Sequence, residues 1–162
     1  RPNLIYGFGV SAQWKGLDVN VHFQGAGKSS FFIKGQSIYA FSEGEWGNVF
    51  DDYVGNYWSL DNPDPNAKYP RLSWNGNANN NRASTFWLRD GSYLRLKTLE
   101  VGYTLPKNIS RVLYMNNIRV FFIGTNLLTF SKFKMWDPEM GSSTGQQYPL
   151  SKSYTLGLTV TL

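Results

Sequence analysis

The chain has 162 residues, enough for one domain with a sizeable core, and a formal net charge of +5 from 16 basic and 11 acidic side chains. Aromatic residues make up 17% and charged residues only 17%, and the absence of cysteine excludes a disulfide framework and thiolate metal sites. The cations are scattered rather than clustered, which argues against nucleic-acid binding, and no apolar run approaches the ~18 residues a membrane helix needs.

Aromatic-rich, glycine-rich, charge-poor chains of this kind suit β-barrels and carbohydrate-facing β-structures. Arg1-Pro2-Asn3 lacks a signal-peptide pattern, so the chain is expected to be mature or to begin inside something larger. Leu4 to Trp14 alternates: Leu4, Tyr6, Phe8, Val10, Ala12 and Trp14 share one face, against Ile5, Gly7, Gly9, Ser11 and Gln13. After a tight turn at Lys15-Gly16, Leu17 to Ala26 alternates again, with Leu17, Val19, Val21 and Phe23 against Asp18, Asn20, His22 and Gln24. This predicts a β-hairpin with one apolar and one polar face. Residues 27–83 read as a long, mostly irregular loop, with short strands expected at Phe31-Phe32-Ile33 and Ser37 to Ser42.

Ser84 to Pro106 reads as one long β-segment. Its apolar parity switches near Thr98, from Leu94 and Leu96 to Leu99, Val101 and Tyr103, and this predicts a β-bulge. Lys107 to Met115 predicts a short turn of helix. Ile118 to Phe130 predicts a strand, with Ile118, Val120 and Phe122 on one side and Phe121, Ile123 and Leu127 on the other. Residues 131–152 read as loop, and Tyr154 to Leu162 alternates strictly to the end. The long connections then fall at one end of the strands and the short ones at the other. Outer-membrane barrels obey that rule, with long loops outside the cell. Two architectures stay open from periodicity on the hairpin: an antiparallel sandwich with its apolar faces packed together, or a barrel with lipid outside and a wet lumen inside.

No catalytic constellation stands out. The single histidine, His22, sits on the polar face as a solvated or hydrogen-bonded residue. Glu43/Glu45, Asp51/Asp52 and Asp137/Glu139 are carboxylate pairs of a type glycosidases use, but no apolar run accompanies them to raise one pKa. Asp61 to Asn66 carries oxygen ligands suited to Ca²⁺; it lacks the glycine and distal glutamate of an EF-hand loop, and a proline-directed turn is expected instead. The loop aromatics Trp46, Tyr53, Tyr57, Trp58 and Trp74 either stack on sugar rings, contact a partner, or hold the loops together.

Ser84 to Lys97 followed by Gly102-Tyr103-Thr104-Leu105-Pro106 resembles the most recognisable part of the SusC/RagA family of TonB-dependent outer-membrane transporters. Further pieces similar to that family are Tyr6-Gly7-Phe8 through Gly25, Asn66 to Leu72, Gly124 to Phe130, Trp136-Asp137-Pro138-Glu139, and Tyr148-Pro149-Leu150 leading into Ser153 to Leu158. Members usually end on an aromatic residue, whereas this chain ends on Leu162. The resemblance implies an all-β fold: the C-terminal part of a plugged transmembrane barrel of about 22 strands, of which about five lie here. It implies no enzyme activity and no cofactor. Its partners would be a SusD-like surface lipoprotein, the TonB complex through a missing N-terminal part, the lipid bilayer, and a glycan or peptide cargo. Location would be the outer membrane of a Gram-negative, Bacteroidota-like bacterium. Trp46, Tyr57, Trp58, Trp74 and Trp136 are the residues expected to touch substrate or lid. The alternative function is a soluble carbohydrate-binding β-sandwich with aromatic loops.

Overall fold

The structure is a computed structural model that describes residues 2–42, 47–74, 76–112 and 114–161. Among the described residues seven strands and one short α-helix follow in chain order: β1 (Leu4–Trp14), β2 (Leu17–Gly27), β3 (Ser30–Phe32), β4 (Leu88–Asp90), β5 (Tyr93–Thr104), α1 (Lys107–Val112), β6 (Asn117–Ser131) and β7 (Ser153–Thr161). One five-stranded sheet runs β1-β2-β5-β6-β7, antiparallel throughout, and β3 pairs with β4 in a separate two-stranded piece. The β1–β2 hairpin closes at Lys15 and Gly16, both at positive φ (46° and 89°), the backbone of a two-residue turn whose twist matches its strands.

The register carries each sequence alternation across the whole sheet. Trp14, Leu17, Tyr103, Val120 and Leu158 form one row, and Ala12, Val19, Val101, Phe122 and Leu156 the next. On the other side run Ser11, Asn20, Glu100, Ile123 and Thr155, then Gly9, His22, Thr98, Thr125 and Ser153. The parity switch is a bulge. His22 pairs with Thr98 and Phe23 with Leu96, which leaves Lys97 as the extra residue. Against β6 the count reverses, because Leu96 and Thr98 pair with Leu128 and Thr125. The surplus there includes Asn126, at φ 53°. The two bulges keep the apolar rows in line and turn Arg95, Lys97 and Thr98 to the polar side.

The apolar side is bare: Leu156 is 79% exposed, Val10 67% and Leu158 63%. Each such side chain left in water forgoes about 1.5–3 kcal/mol of burial. A sandwich would cover this face with a second sheet at about 10 Å, and no second sheet lies over it among the described residues. The carbohydrate-binding sandwich is therefore not the architecture. Two rings lie over glycines, Tyr6 on the apolar face and Phe121 on the opposite, polar face. A Cβ on Gly25 would come within 2.7 Å of Tyr6 Cε2, and one on Gly157 within 2.8 Å of Phe121 Cε1.

Four local expectations need correction. Ser84–Pro106 is not one strand: Thr85–Trp87 is a 3-10 turn, β4 follows, and β5 starts at Tyr93. Trp87 is driven into the loop core, which breaks the extended run. Ser37 to Ser42 is turn rather than strand, because the Ile38 and Tyr39 N–H groups donate back to the Gly35 carbonyl. The helix is shorter than expected, Lys107–Val112. Leu127 lies against Gly124, on the side of Phe122, because the positive φ of Asn126 rotates it away from Ile123. The last strand ends at Thr161, and Leu162 lies outside the described residues.

Candidate functional site

Both long connections, 28–92 and 132–152, leave from one end of the sheet, while the turn at 15–16 and the α1 connection lie at the other. The long segment is mostly irregular in its backbone, as expected, yet its described residues pack around a core of their own. Ile33, Ile38, Tyr53, Tyr69, Trp87 and Phe133 make a buried cluster there, drawn from both connections. Tyr53 and Tyr69 stack with ring centroids 3.7 Å apart, and Trp87 meets Tyr39 edge-on at 5.1 Å. The polar tips of these rings find partners, as buried Tyr and Trp must. Tyr53 OH donates to the Ile38 carbonyl at 2.8 Å, and Trp87 Nε1 to the Asn80 carbonyl at 2.7 Å. Backbone bonds join the two connections, with Lys34 N donating to the Ser143 carbonyl at 2.9 Å. The polar Asn77 to Asn81 tract is thus structural, because it presents carbonyls to Trp87 and Tyr39.

An ion network ties this cap to the polar face of the wall. Arg95, projecting from β5 with its side chain only 2% exposed, reaches Asp137 Oδ1 at 2.5 Å and faces Glu139 Oε2 at 3.2 Å. Lys97, turned to the same side by the bulge, reaches Glu139 Oε1 at 2.9 Å. Of the acceptors, Glu139 stands on the 3-10 turn Pro138–Met140 and Asp137 is its N-cap, where Asp137 Oδ1 also accepts the Glu139 N–H at 2.9 Å. The Tyr-Leu-Arg-Leu-Lys and Trp-Asp-Pro-Glu motifs are thus two halves of one contact. Lower on the same face Arg119 bridges Asp18 and Glu100, its Nη2 lying 2.8 Å from Glu100 Oε1. The pair passes over Gly102, where a Cβ would meet Asp18 Oδ2 at 2.6 Å and Arg119 Nη2 closer still. Sequence reasoning placed these cations and carboxylates on strands and loops but paired none of them, because the partners lie 19 to 101 residues apart.

Of the carboxylates weighed for glycosidase chemistry, Asp52, Asp137 and Glu139 are committed elsewhere. Asp137 and Glu139 face Arg95 and Lys97. Asp52 accepts from the Lys68 ammonium and from Tyr69 OH, and these donors hold its carboxyl below the usual carboxylate range, opposite to a general acid. Burial, then the Asp52 carboxylate, pushes the Tyr69 hydroxyl up. Glu43 and Glu45 lie outside the described residues. In the Asp61–Asn66 segment Asp64 Oδ1 accepts from Asn66 N at 2.8 Å, a local turn of the kind expected there.

The five aromatic contact candidates separate. Trp136 packs on Phe133 at 4.8 Å, donates Nε1 to the Ser142 carbonyl at 3.2 Å, and Tyr57 packs against the same core. Both hold the cap together. Trp58 is half-buried, and its backbone N–H donates to the Tyr69 carbonyl. Trp74 is 60% exposed beside Phe41, and so has a ring face to offer. Trp46 lies outside the described residues.

No family model matches the chain. It is 30% identical to TonB-dependent receptor P26 of Formosa agariphila over 99% of its own length and 17% of that protein. It is 27% identical to TonB-dependent receptor P3 of the same organism over 97% of its length and 16% of that protein. The chain therefore spans about a sixth of the length of these curated relatives. Among solved structures it aligns with the RagAB peptide importer in an open-open state over 100% of this chain and 17% of that chain, at TM-score 0.75 and 30% identity. The closed-closed state of that importer gives TM-score 0.74 at 29% identity, over 99% of this chain and 17% of that chain. Open apolar face, polar charged reverse and loop cap thus coincide with likeness in sequence and fold along nearly the whole chain, which is a SusC/RagA-like stretch of TonB-dependent receptor barrel.

Proposed function

We propose that this chain supplies part of the wall and of the extracellular cap of an energy-coupled importer in the outer membrane of a Gram-negative, Bacteroidota-like bacterium. The observation that carries the proposal is the unbroken apolar face across five strands, backed by a polar face rich in ion pairs. Strands of 9 to 15 residues suit tilted crossings of the bilayer. Lipid tolerates no open edge, so β1 and β7 need strands from outside this chain to close the ring. The chain serves as the C-terminal segment of that barrel, and coupling to TonB runs through a segment outside it.

The cargo is a peptide or a glycan, and the names of the solved relatives favour a peptide. A SusD-like lipoprotein covers the cap, and the exposed Trp74 is offered to cargo or lid. Uptake tests this. Cells lacking the receptor should fail to grow on oligopeptides as sole nitrogen source and recover with the intact gene, and Trp74→Ala should weaken uptake. Normal peptide growth together with lost growth on one glycan would reassign the cargo. Normal growth on both would overturn import.

A further inference from the structure

At the loop end of the apolar face the wall changes character. Tyr6, Leu94 and Phe130 share the last apolar row, and they line a shallow groove completed by Asp90, Ser92 and Lys132. Asp90 and Lys132 also line an adjoining cleft of about 330 Å³, which Lys68, Arg89 and Lys134 reach over Phe133 and Met135. The pattern Lys132-Phe133-Lys134 explains the arrangement: Phe133 is buried in the loop core, which leaves both lysines exposed.

Cations outnumber anions here. The cleft holds four cations, Lys68, Arg89, Lys132 and Lys134, against Asp52 and Asp90. Asp52 is taken by Lys68 and Tyr69, and Asp90 Oδ1 accepts the Ser92 N–H at 2.9 Å. One guanidinium nitrogen of Arg89 donates to the Phe86 and Leu88 carbonyls. No ion pair of Arg89, Lys132 or Lys134 forms among the described residues. β6 is paired on both edges, by β5 and β7, and its apolar side is open at this end, where Phe130 is 57% exposed. What meets that side just above an apolar band is the headgroup layer.

We infer that this cleft binds the phosphate of an outer-leaflet lipid, with the acyl chains running along Tyr6, Leu94 and Phe130. The inference rests on the membrane reading above. A planar guanidinium beside two exposed ammoniums suits a phosphate, which Arg grips through paired N–H groups and Lys as a point charge. The apolar row directly below supplies the other half of an amphiphile's surface.

The test uses the full-length receptor that carries this chain, purified in detergent and stripped of lipid. It is titrated with lipid A bearing its phosphates, with the same lipid after dephosphorylation, and with inorganic phosphate. Wild type should prefer the phosphorylated lipid over both. Lys132→Ser or Lys134→Ser alone should weaken binding about 5-fold, and the two together about 30-fold, as expected for roughly one surface-cation contribution each. Heat-modifiable migration should stay unchanged in these exposed variants. Equal affinity for the dephosphorylated lipid, or an unchanged double variant, overturns the assignment. Inorganic phosphate binding as tightly as the lipid overturns it in favour of a soluble anion. A receptor that stays soluble without detergent overturns the membrane reading itself, and shows this before any lipid is added.

Discussion

Arg95→Ala should release the 132–152 connection from the wall while leaving the sheet intact. Arg95 is nearly fully buried between Asp137 and Glu139, whose side chains are only 16% and 24% exposed. Removing one partner of a buried ion pair costs about 3–5 kcal/mol, because the remaining charge is stranded. Glu139 keeps Lys97, and both carboxylates can rehydrate through their exposed edges. The expected cost is therefore lower, about 2–3 kcal/mol. It falls on local opening of the connection, not on the ladder, since Arg95 keeps its backbone pairs with Gln24 and Thr129. At about 1.4 kcal/mol per factor of ten, backbone amides of 132–152 in the full-length receptor should exchange about 30- to 150-fold faster. Arg95→Lys should fall between, because it keeps the charge and loses the fork. Hydrogen exchange read by mass spectrometry resolves this segment. Protection unchanged within about twofold in Arg95→Ala would refute the claim that the network holds the cap to the wall.

Trp87→Ala should cost the loop core about 3–5 kcal/mol, as large-to-small changes at buried aromatics do, and leave the Asn80 carbonyl without its donor. Protease should then cut within 28–92 while migration of the unboiled barrel persists; resistant loops would contradict the buried-cluster description. Burial pushes the Tyr53 hydroxyl up to about 12. Its folded pKa lies above the unfolded value of ~10, so its contribution to cap stability is full below pH ~10 and lost as pH rises toward about 12. The difference in tyrosinate absorbance between wild type and Tyr53→Phe should therefore appear near pH 12, and a difference centred near pH ~10 would contradict it. Gly102→Ala should displace the ends of Arg119 and Asp18 but not backbone, so the barrel should still assemble with little change in thermal unfolding. A variant that no longer assembles would show that the glycine answers to something other than that pair.

The wall was legible because a barrel strand writes its environment at every second residue. The hairpin at Lys15-Gly16, the parity switch beside Thr98 and the alternation of Tyr154 onward each follow from a period of two and one turn. The cap was not legible, since its order is non-local. Nothing near Trp87 in the sequence says that Asn80 and Tyr39 will receive it, and this tertiary demand turned an apparently extended run into a 3-10 turn. The contact candidates divided for the same reason. A loop aromatic looks alike in sequence whether it packs, as Trp136 and Tyr57 do, or stands out, as Trp74 does. The Trp-Asp-Pro-Glu motif could be recognised, but its role emerged only when Arg95 and Lys97 were seen facing it.

The central claim is that this apolar face meets lipid in a closed barrel far larger than the chain. Antibody raised against the chain should be used to blot outer-membrane and soluble fractions of the native source, boiled and unboiled in SDS. A membrane band several times larger than 18.5 kDa that shifts on boiling is the predicted result. A soluble band near 18.5 kDa, unmoved by boiling, would contradict the account.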